Sequence, residues 1–352
     1  MATKFAVDGF FRTALVLWSP RNQKQVLTRQ HLHFQRRGRI GLSNEKQLFS
    51  LSSSSPHHVL VETLYHPTNT ENGNDDVDDG RTRITKITLN RPKVNAMGRH
   101  MISELQDCLV DLEKECCTSR CVVLTSSVEK VFSAGADLKE RATMTEDETQ
   151  TFVTLLRNTM ERFASLPMPT IAAIDGVAVG GGLELALAAD LRIASDAPNV
   201  LLGFPETSLA ILPGAGGTQR LPRLIGAAKA KELIWTGTKL SGQQAFDCGL
   251  VNELVVTGLA NNAEGEGVNG TVATSTTTAI DRALELAFSI ASHGPVAIRA
   301  SKAAIEQGGK LTCMKDALEI ERECYAKVVP TKDRLEGLRA FREGRTPTYK
   351  GE

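Results

Sequence analysis

The 352-residue sequence lacks net charge, cysteine motifs and long apolar runs. It has 41 Lys+Arg against 41 Asp+Glu, which argues against the overall basic surface of many nucleic-acid-binding proteins. No stretch of about 18 apolar residues is free of charge, as a membrane span requires. The seven cysteines form no Cys-x-x-Cys pair. These absences favour a globular protein with reduced thiols and with one large core or two ordinary ones.

Charge is unevenly distributed along the chain. Residues 1–60 contain nine Lys/Arg and only two acids, with hydroxyl and apolar residues between them. This composition is typical of an organellar transit peptide, and a disordered basic tail is the alternative. We predict import into the mitochondrial matrix, with the plastid and the peroxisome as alternatives. The terminal Lys350-Gly351-Glu352 is not a peroxisomal address.

The remaining chain divides into three parts. Residues 61–82 are predicted to form an acidic linker, because turn-forming and acidic residues dominate 71–80. From residue 83 to 278, strand and helix patterns alternate, which predicts an α/β layer architecture. Within it, the low-complexity stretch 257–278 is expected to be a flexible loop. Residues 279–352 are predicted to be helical, with Thr331 as an N-cap.

The most informative segment runs from Ile174 to Asp190. A short strand leads into Gly180, Gly181 and Gly182 and then into a helix rich in alanine and leucine. Glycines at such a corner let a ligand approach backbone N–H groups at the positive end of the helix dipole. The pattern predicts an oxyanion-binding corner, although a glycine-rich turn can equally serve packing.

Two glutamates lie in apolar stretches near this corner. Glu184 is inside the apolar helical segment, and Glu206 follows Pro205 in another apolar run. A buried carboxylate without a partner is costly, so such residues are typical of acid/base chemistry. The alternative is a buried ion pair with an arginine, for which the candidates are Arg192, Arg220 and Arg223.

Two further turns of small residues complete a recognisable set. Ser-Ala-Gly-Ala-Asp-Leu-Lys (133–139), Gly-Gly-Gly-Leu-Glu-Leu (180–185) and Leu-Pro-Gly-Ala-Gly-Gly-Thr-Gln-Arg (212–220) occur in this order. Together they resemble the crotonase (enoyl-CoA hydratase/isomerase) superfamily over about residues 83–352. Residues 135–141, 206–211 and 330–337 most resemble the hydratases of methylglutaconyl-CoA in leucine breakdown. General short-chain 2-enoyl-CoA hydratases of fatty-acid β-oxidation are the second possibility.

The resemblance implies a spiral of β-β-α units with a C-terminal helical region that builds a homotrimer, often paired into a hexamer. It implies a hydratase that adds water across the 2,3 double bond of a short or branched 2-enoyl-CoA. The backbone N–H groups of Ala136 and Gly181 would hold the thioester oxygen. Glu184 would help to activate water for attack at Cβ, and Glu206 would deliver a proton to Cα. No metal and no cofactor beyond the coenzyme A of the substrate are expected.

The resemblance also suggests residues that touch the substrate. Expected substrate contacts are Ala134, Asp137, Leu138, Lys139, Gly182 and Gly214, the last of which would keep space for substrate and water. Candidates for the coenzyme A phosphates are Lys139, Arg342 and Arg345. Arg141 is a candidate partner for a distal substrate carboxylate.

Three observations bear on alternative interpretations. An enoyl-CoA isomerase can work with one acid/base group, whereas this chain has both glutamates. The stretch between Glu184 and Glu206 is about two residues longer than usual in the superfamily, with 199–202 as the excess, so Glu206 could be displaced. A further alternative interpretation is a non-catalytic RNA-binding protein on the same scaffold. Residues 99–117 argue against it, because Arg99 and Lys114 face five acids there.

Overall fold

A computed structural model describes residues 57–65, 82–114, 118–257 and 277–352. The predicted transit peptide lies outside these ranges up to residue 56, and the predicted loop 257–278 lies outside them except at its ends. Within the described ranges, no helix is long and apolar enough to cross a membrane. The cysteines in these ranges are free thiols: Cys108, Cys121, Cys248, Cys313 and Cys324.

The described chain contains ten strands and eleven helices. The strands are β1 Val59–Tyr65, β2 Arg83–Leu89, β3 Ser119–Ser126, β4 Val131–Ser133, β5 Thr170–Ile174, β6 Val177–Val179, β7 Leu191–Ser195, β8 Leu201–Gly203, β9 Lys239–Ser241 and β10 Glu253–Val255. The helices are α1 Arg99–Lys114, α2 Leu138–Arg141, α3 Glu146–Ala164, α4 Gly181–Ala188, α5 Gly217–Ile225, α6 Ala227–Thr236, α7 Gly242–Asp247, α8 Ala279–Ala291, α9 Pro295–Gly308, α10 Met314–Val328 and α11 Lys332–Glu343. A short 3-10 turn covers Glu206–Leu209.

The larger sheet has the order β1-β2-β3-β5-β7-β10 and is parallel except for the β1–β2 pair. Successive residues of its central strands point to opposite faces, and both faces are buried. Val122 and Leu124 lie in the main core, whereas Val123 packs with the alanines of α8. This sheet is therefore a layer between helices, as the alternating pattern predicts.

The smaller sheet has the order β4-β6-β8-β9 and determines the geometry of the site. β4, β6 and β8 run parallel, so their carboxyl ends meet at one edge of the sheet. The chain leaves these ends into the turn at 134–137, into the first turn of α4, and into Phe204-Pro205-Glu206. Three segments that are distant in sequence are thereby brought to a single edge, where ligands commonly bind in open α/β sheets.

The prediction that residues 61–82 form a linker is wrong at its start. Val59–Tyr65 is strand β1, which pairs with β2 in an antiparallel register from Val59 opposite Leu89 to Tyr65 opposite Arg83. The physical reason is its composition of valine, leucine, threonine and tyrosine, which favours a strand. The ordered core therefore begins before residue 61, and residues 66–81 lie outside the described part of the chain.

The C-terminal region is helical, as predicted, and forms four helices. α8 packs on the larger sheet through Ala283, Ala287 and Phe288. In contrast, α9, α10 and α11 leave large apolar side chains exposed: Ile305, Met314, Leu318, Tyr325, Leu335, Leu338 and Phe341. Thr331 caps α11 by accepting a hydrogen bond from the N–H of Arg334, which confirms the predicted N-cap.

The N-terminus of α3 offers a test of the local folding signals. The Thr145 side chain accepts a hydrogen bond from the N–H of Glu148, whose carboxylate accepts one from the N–H of Thr145. We expect Thr145→Ala to lower the free energy of unfolding by about 1 kcal/mol, measured by urea denaturation. Thr154→Ala, in the middle of the same helix, is the control and should change it by less than about 0.5 kcal/mol. Equal effects of both variants would contradict the capping role.

Candidate active site

The corner between β6 and α4 is built by glycine. Gly180 has φ +55°, a left-handed conformation that side chains rarely adopt, and its N–H donates to the carbonyl of Gly203 at 3.0 Å. A Cβ placed on Gly180 would lie 2.8 Å from Oε1 of Glu206. Any larger residue at this position would therefore meet both backbone strain and a carboxylate.

A second glycine turn approaches this corner closely. Gly135 has φ +86°, and a Cβ placed on it would lie 2.9 Å from the nitrogen of Gly181. A Cβ placed on Gly181 would lie 3.4 Å from the nitrogen of Ala136. Among the described residues, neither the Ala136 N–H nor the Gly181 N–H has a hydrogen-bond partner. Two free donors thus lie side by side at the positive end of α4, where they could hold a developing negative charge.

The 134–137 turn is fixed by the segment before α1. The N–H of Met97 donates to the carbonyl of Gly135 at 2.7 Å, and the N–H of Asp137 donates to the carbonyl of Met97 at 3.0 Å. Arg91 pairs with the Asp137 carboxylate at 2.6 Å. Asp137, expected to touch substrate, therefore has its side chain committed to holding the turn.

Glu184 lies one turn into α4 and is 2% exposed. Its Oε1 accepts hydrogen bonds from the N–H groups of Ala215 at 2.8 Å and Gly217 at 2.7 Å. Burial raises the pKa of Glu184, although these two hydrogen bonds act in the opposite direction. The carboxylate is consequently oriented by the backbone of a neighbouring loop, and no cationic side chain of the described residues forms a salt bridge with it.

Glu206 starts the 3-10 turn that follows β8. Its Oε2 is buried and has no hydrogen-bond partner among the described residues. Burial and the charge of Glu184 raise the pKa of Glu206 to about 7, although the charge of Arg141 lowers it. At neutral pH this group is therefore able both to give and to accept a proton.

The structure argues against a buried ion pair at either carboxylate. Arg192 is buried, but its guanidinium donates to the carbonyls of Leu250 and Ala189. Arg220 pairs with Glu161 at 2.8 Å, and Arg223 bonds to Gln219. None of the three arginines that could have neutralised Glu184 or Glu206 forms a salt bridge with them.

The longer stretch before Glu206 does not remove that residue from the corner. β8 pairs with β6 in a parallel register, with Leu202 opposite Ala178. Asn199 is held by a hydrogen bond from its side chain to the carbonyl of Asp175 at 3.0 Å. Glu206 consequently reaches the first turn of α4, as its contact with the Cβ position of Gly180 shows.

The expected substrate contacts divide into two groups. Ala134, Leu138 and Lys139 are exposed around the 134–137 turn and are accessible to a ligand. Gly182 and Gly214 are restricted by protein neighbours instead. A Cβ on Gly182 would lie 2.3 Å from the carbonyl oxygen of Ser133, and one on Gly214 would lie 2.9 Å from Val153. Their small size is explained by packing, rather than by space for substrate.

The two C-terminal candidates for binding the coenzyme A phosphates, Arg342 and Arg345, differ in their contacts. The guanidinium of Arg345 is engaged by the carboxylates of Glu336 at 2.6 Å and Glu343 at 2.7 Å. This engagement argues against its role as a phosphate ligand, since both bonds would have to break. Arg342 is exposed, with no ion-pair partner within the described ranges.

Sequence reasoning missed the backbone groups that orient the Glu184 carboxylate. The turn at 212–217 was recognised, yet nothing in its composition indicates that the Ala215 and Gly217 N–H groups bind Glu184. Met97 was also missed, although it supports the corner: its Cε lies 2.7 Å from a Cβ placed on Gly181. Such contacts join segments that are far apart in sequence, which no local pattern encodes.

Comparison with known proteins agrees with this geometry. Residues 79–258 match the family described as enoyl-CoA hydratase/isomerase. Enoyl-CoA hydratase domain-containing protein 2, mitochondrial, from Mus musculus is 48% identical over 76% of this chain and 85% of its own length. Methylglutaconyl-CoA hydratase, mitochondrial, from Homo sapiens is 46% identical over 73% of this chain and 70% of its own length. The crystal structure of enoyl-CoA hydratase from Bacillus anthracis has a TM-score of 0.68 and 47% identity, and covers 76% of this chain and 96% of that one.

The chain therefore belongs to the enoyl-CoA hydratase/isomerase family. The resemblance to the crotonase superfamily and the α/β fold class are both confirmed.

The raised pKa of Glu206 predicts how the stability of the fold depends on pH. Because folding raises its pKa from 4.5 to about 7, the folded state binds the proton more tightly and the wild type loses stability as pH rises through this window. We expect Glu206→Gln to be more stable than wild type at pH 8 by about 1 to 2 kcal/mol, with the advantage shrinking towards pH 4.5. Urea denaturation across this pH range measures it.

The control for this experiment is Glu129→Gln, which changes an exposed carboxylate beside Lys130. It should leave the pH dependence unchanged. If Glu206→Gln were less stable than wild type at pH 8, Glu206 would be a structural residue and the assigned burial cost would be refuted.

Proposed function

We propose that the protein is an enoyl-CoA hydratase that adds water across the 2,3 double bond of a short or branched 2-enoyl-CoA. The observation that carries this proposal is the pair of glutamates, Glu184 and Glu206, beside two free backbone N–H groups. Membership of the hydro-lyase class is supported by the relatives named enoyl-CoA hydratases.

The thioester carbonyl would accept hydrogen bonds from the N–H groups of Ala136 and Gly181. When a nucleophile adds at Cβ, negative charge develops on this oxygen, and donors that are already oriented stabilise it without reorganisation. Loss of one such donor typically costs about 2.7 to 4 kcal/mol of transition-state stabilisation. The N-terminus of α4 contributes its dipole in the same direction.

The two carboxylates would divide the proton transfers. Glu184 helps to activate the water that attacks Cβ, oriented by the Ala215 and Gly217 N–H groups. Glu206, with a pKa of about 7, delivers a proton to Cα. Each such transfer is worth roughly 10² to 10⁴ in rate. An isomerase needs one acid/base group, so the presence of two carboxylates beside the free N–H groups favours hydration.

The acyl group of the substrate can be inferred from a charged residue near Glu206. Both methylglutaconyl-CoA-like and crotonyl-CoA-like substrates suit the chemistry. Arg141 ends α2 and is close enough to Glu206 for its charge to lower the pKa of that carboxyl. Its guanidinium forms no ion pair within the described ranges, so it is available to a distal substrate carboxylate. This favours a branched dicarboxylic acyl group.

The proposal extends to the cellular location and the oligomeric state of the protein. The two mammalian relatives named above are mitochondrial by name, and the basic N-terminal segment supports import into the mitochondrial matrix. The exposed apolar side chains of α9, α10 and α11, among them Phe341 at 88% and Ile305 at 75% exposure, support a homotrimer or a dimer of trimers. No role for RNA binding is proposed, because α1 is acidic.

Substitution of the carboxylates tests the proposed chemistry. Glu184→Gln and Glu206→Gln should each lower kcat for hydration by about 10² to 10⁴, because a proton-transfer group is lost while the shape of the site is kept. Loss of the conjugated thioester absorbance measures the rate, and binding of an acyl-CoA product measures ligand affinity, which should persist. Near-normal turnover in either variant would refute the assignment.

Substrate preference tests the acyl group. With crotonyl-CoA and 3-methylglutaconyl-CoA compared in parallel, we expect kcat/KM to favour the branched acid. Arg141→Met should remove about 1 to 3 kcal/mol of this preference, because a charged hydrogen bond is lost, while crotonyl-CoA hydration is largely retained. Lys130→Met, which changes an exposed lysine beside Glu129, is the control for general loss of positive charge and should leave the preference unchanged.

Preference for crotonyl-CoA in the wild type would instead indicate a general hydratase and remove the role of Arg141. Inactivity on both substrates with acyl-CoA binding intact would favour an isomerase or a non-catalytic protein.

A further inference from the structure

A cluster of three histidines, none of them a residue of the candidate active site, surrounds a buried carboxylate. His57 and His58 immediately precede β1, His100 is the second residue of α1, and Glu104 lies one turn later. One ligand atom each from His58, His100 and Glu104 lies within 4.8 Å of the other two. Glu104 is 6% exposed, which is unusual for a carboxylate on the outer helix of a layer.

Backbone N–H groups orient the carboxylate of Glu104. Its Oε2 accepts hydrogen bonds from the N–H groups of His58 at 2.7 Å and Val59 at 3.0 Å. Its Oε1 is 3.0 Å from Nδ1 of His57 and 3.4 Å from Nε2 of His100. Fixing one oxygen in this way is how surrounding groups commonly orient a metal-ligating carboxylate.

The spacing suits a tetrahedral ion. With metal–ligand distances of about 2.0 to 2.1 Å, neighbouring ligand atoms of a tetrahedral zinc site are about 3.3 Å apart. The pair formed by His100 and Glu104 has this separation at 3.4 Å, and its i, i+4 spacing holds both residues on one face of α1. His58 needs a shift of only about 1 to 2 Å to complete a third edge.

Hydrogen bonding within the protein does not account for the whole cluster. Nδ1 of His58 is buried and has no hydrogen-bond partner among the described residues. Leaving such an atom unpaired costs about 1 to 3 kcal/mol.

We propose that His58, His100 and Glu104 bind a divalent transition-metal ion, and that this ion joins the start of β1 to the first turn of α1. Two imidazoles and one carboxylate are a donor set that suits Zn²⁺, and His57 is positioned beside Glu104 as a possible fourth ligand. The ion stabilises the fold by linking two segments that are 42 residues apart between His58 and His100. It takes no part in the proposed hydration, since it uses neither Glu184 nor Glu206.

Titration of the full-length, tag-free, chelator-treated protein with ZnCl₂ tests the site. We expect one Zn²⁺ per chain by calorimetry, a tetrahedral absorption spectrum when Co²⁺ is used instead, and a rise in the midpoint of thermal unfolding on addition of Zn²⁺. His58→Ala and His100→Ala should each weaken Zn²⁺ binding by at least about tenfold and abolish this rise.

Two controls locate the effect. His293→Ala changes a histidine whose Nδ1 bonds to the carbonyl of Ser289, and the double variant His31→Ala/His33→Ala removes two histidines near the N-terminus. Both should bind Zn²⁺ like wild type. Because His100 is half exposed on α1, its variant should fold, and its acyl-CoA hydration without added metal should match wild type.

Absence of stoichiometric binding at about 100 µM Zn²⁺ would overturn the proposal, since a preformed three-ligand site binds far more tightly. Binding that survives in His58→Ala and His100→Ala, or that is lost in His31→Ala/His33→Ala, would overturn it equally.

Discussion

The close approach of two backbone turns, at Gly135 and at the start of α4, is the constraint on which the site depends. Both turns have a glycine with positive φ, and a Cβ on Gly135 would lie only 2.9 Å from the nitrogen of Gly181. This contact aligns the free N–H groups of Ala136 and Gly181. Because β4 and β6 are adjacent parallel strands, the two turns emerge at the same edge of the smaller sheet, and the third strand, β8, delivers Glu206 there.

The electrostatics of the site follow from this packing. Two carboxylates are buried near each other, and the arginines that could have neutralised them are engaged elsewhere in the fold. Their pKa values rise for the same reason: burial disfavours the charged form. At neutral pH the folded state therefore carries negative charge in an unfavourable environment. A residue with only a structural role would have no reason to be kept at this cost. Strain of this kind, maintained by a well-packed scaffold, is typical of sites where protons are transferred.

Much of this arrangement could be predicted from the sequence, because its signals are local. The alternation of strand and helix patterns led to the correct fold class, and glycine runs and glutamates within apolar stretches led to the residues of the corner. What could not be predicted depends on distant partners. Asp137 holds a turn through Arg91, Gly214 is restricted by Val153, and Arg345 is engaged by glutamates of its own helix region. β1 was missed because the acidic stretch after it dominated the composition around residue 70.

The proposed role of the corner is to hydrate a 2-enoyl-CoA, with Glu206 supplying the proton at Cα. The most direct measurement is the isotopic composition of the product formed from crotonyl-CoA in D₂O, analysed by mass spectrometry and NMR. We expect a 3-hydroxyacyl-CoA carrying one deuterium at Cα, formed rapidly by the wild type and by Glu129→Gln but not by Glu206→Gln. A product with the double bond moved and no added oxygen, or Glu206→Gln forming the deuterated hydroxyacyl-CoA at the wild-type rate, would contradict it.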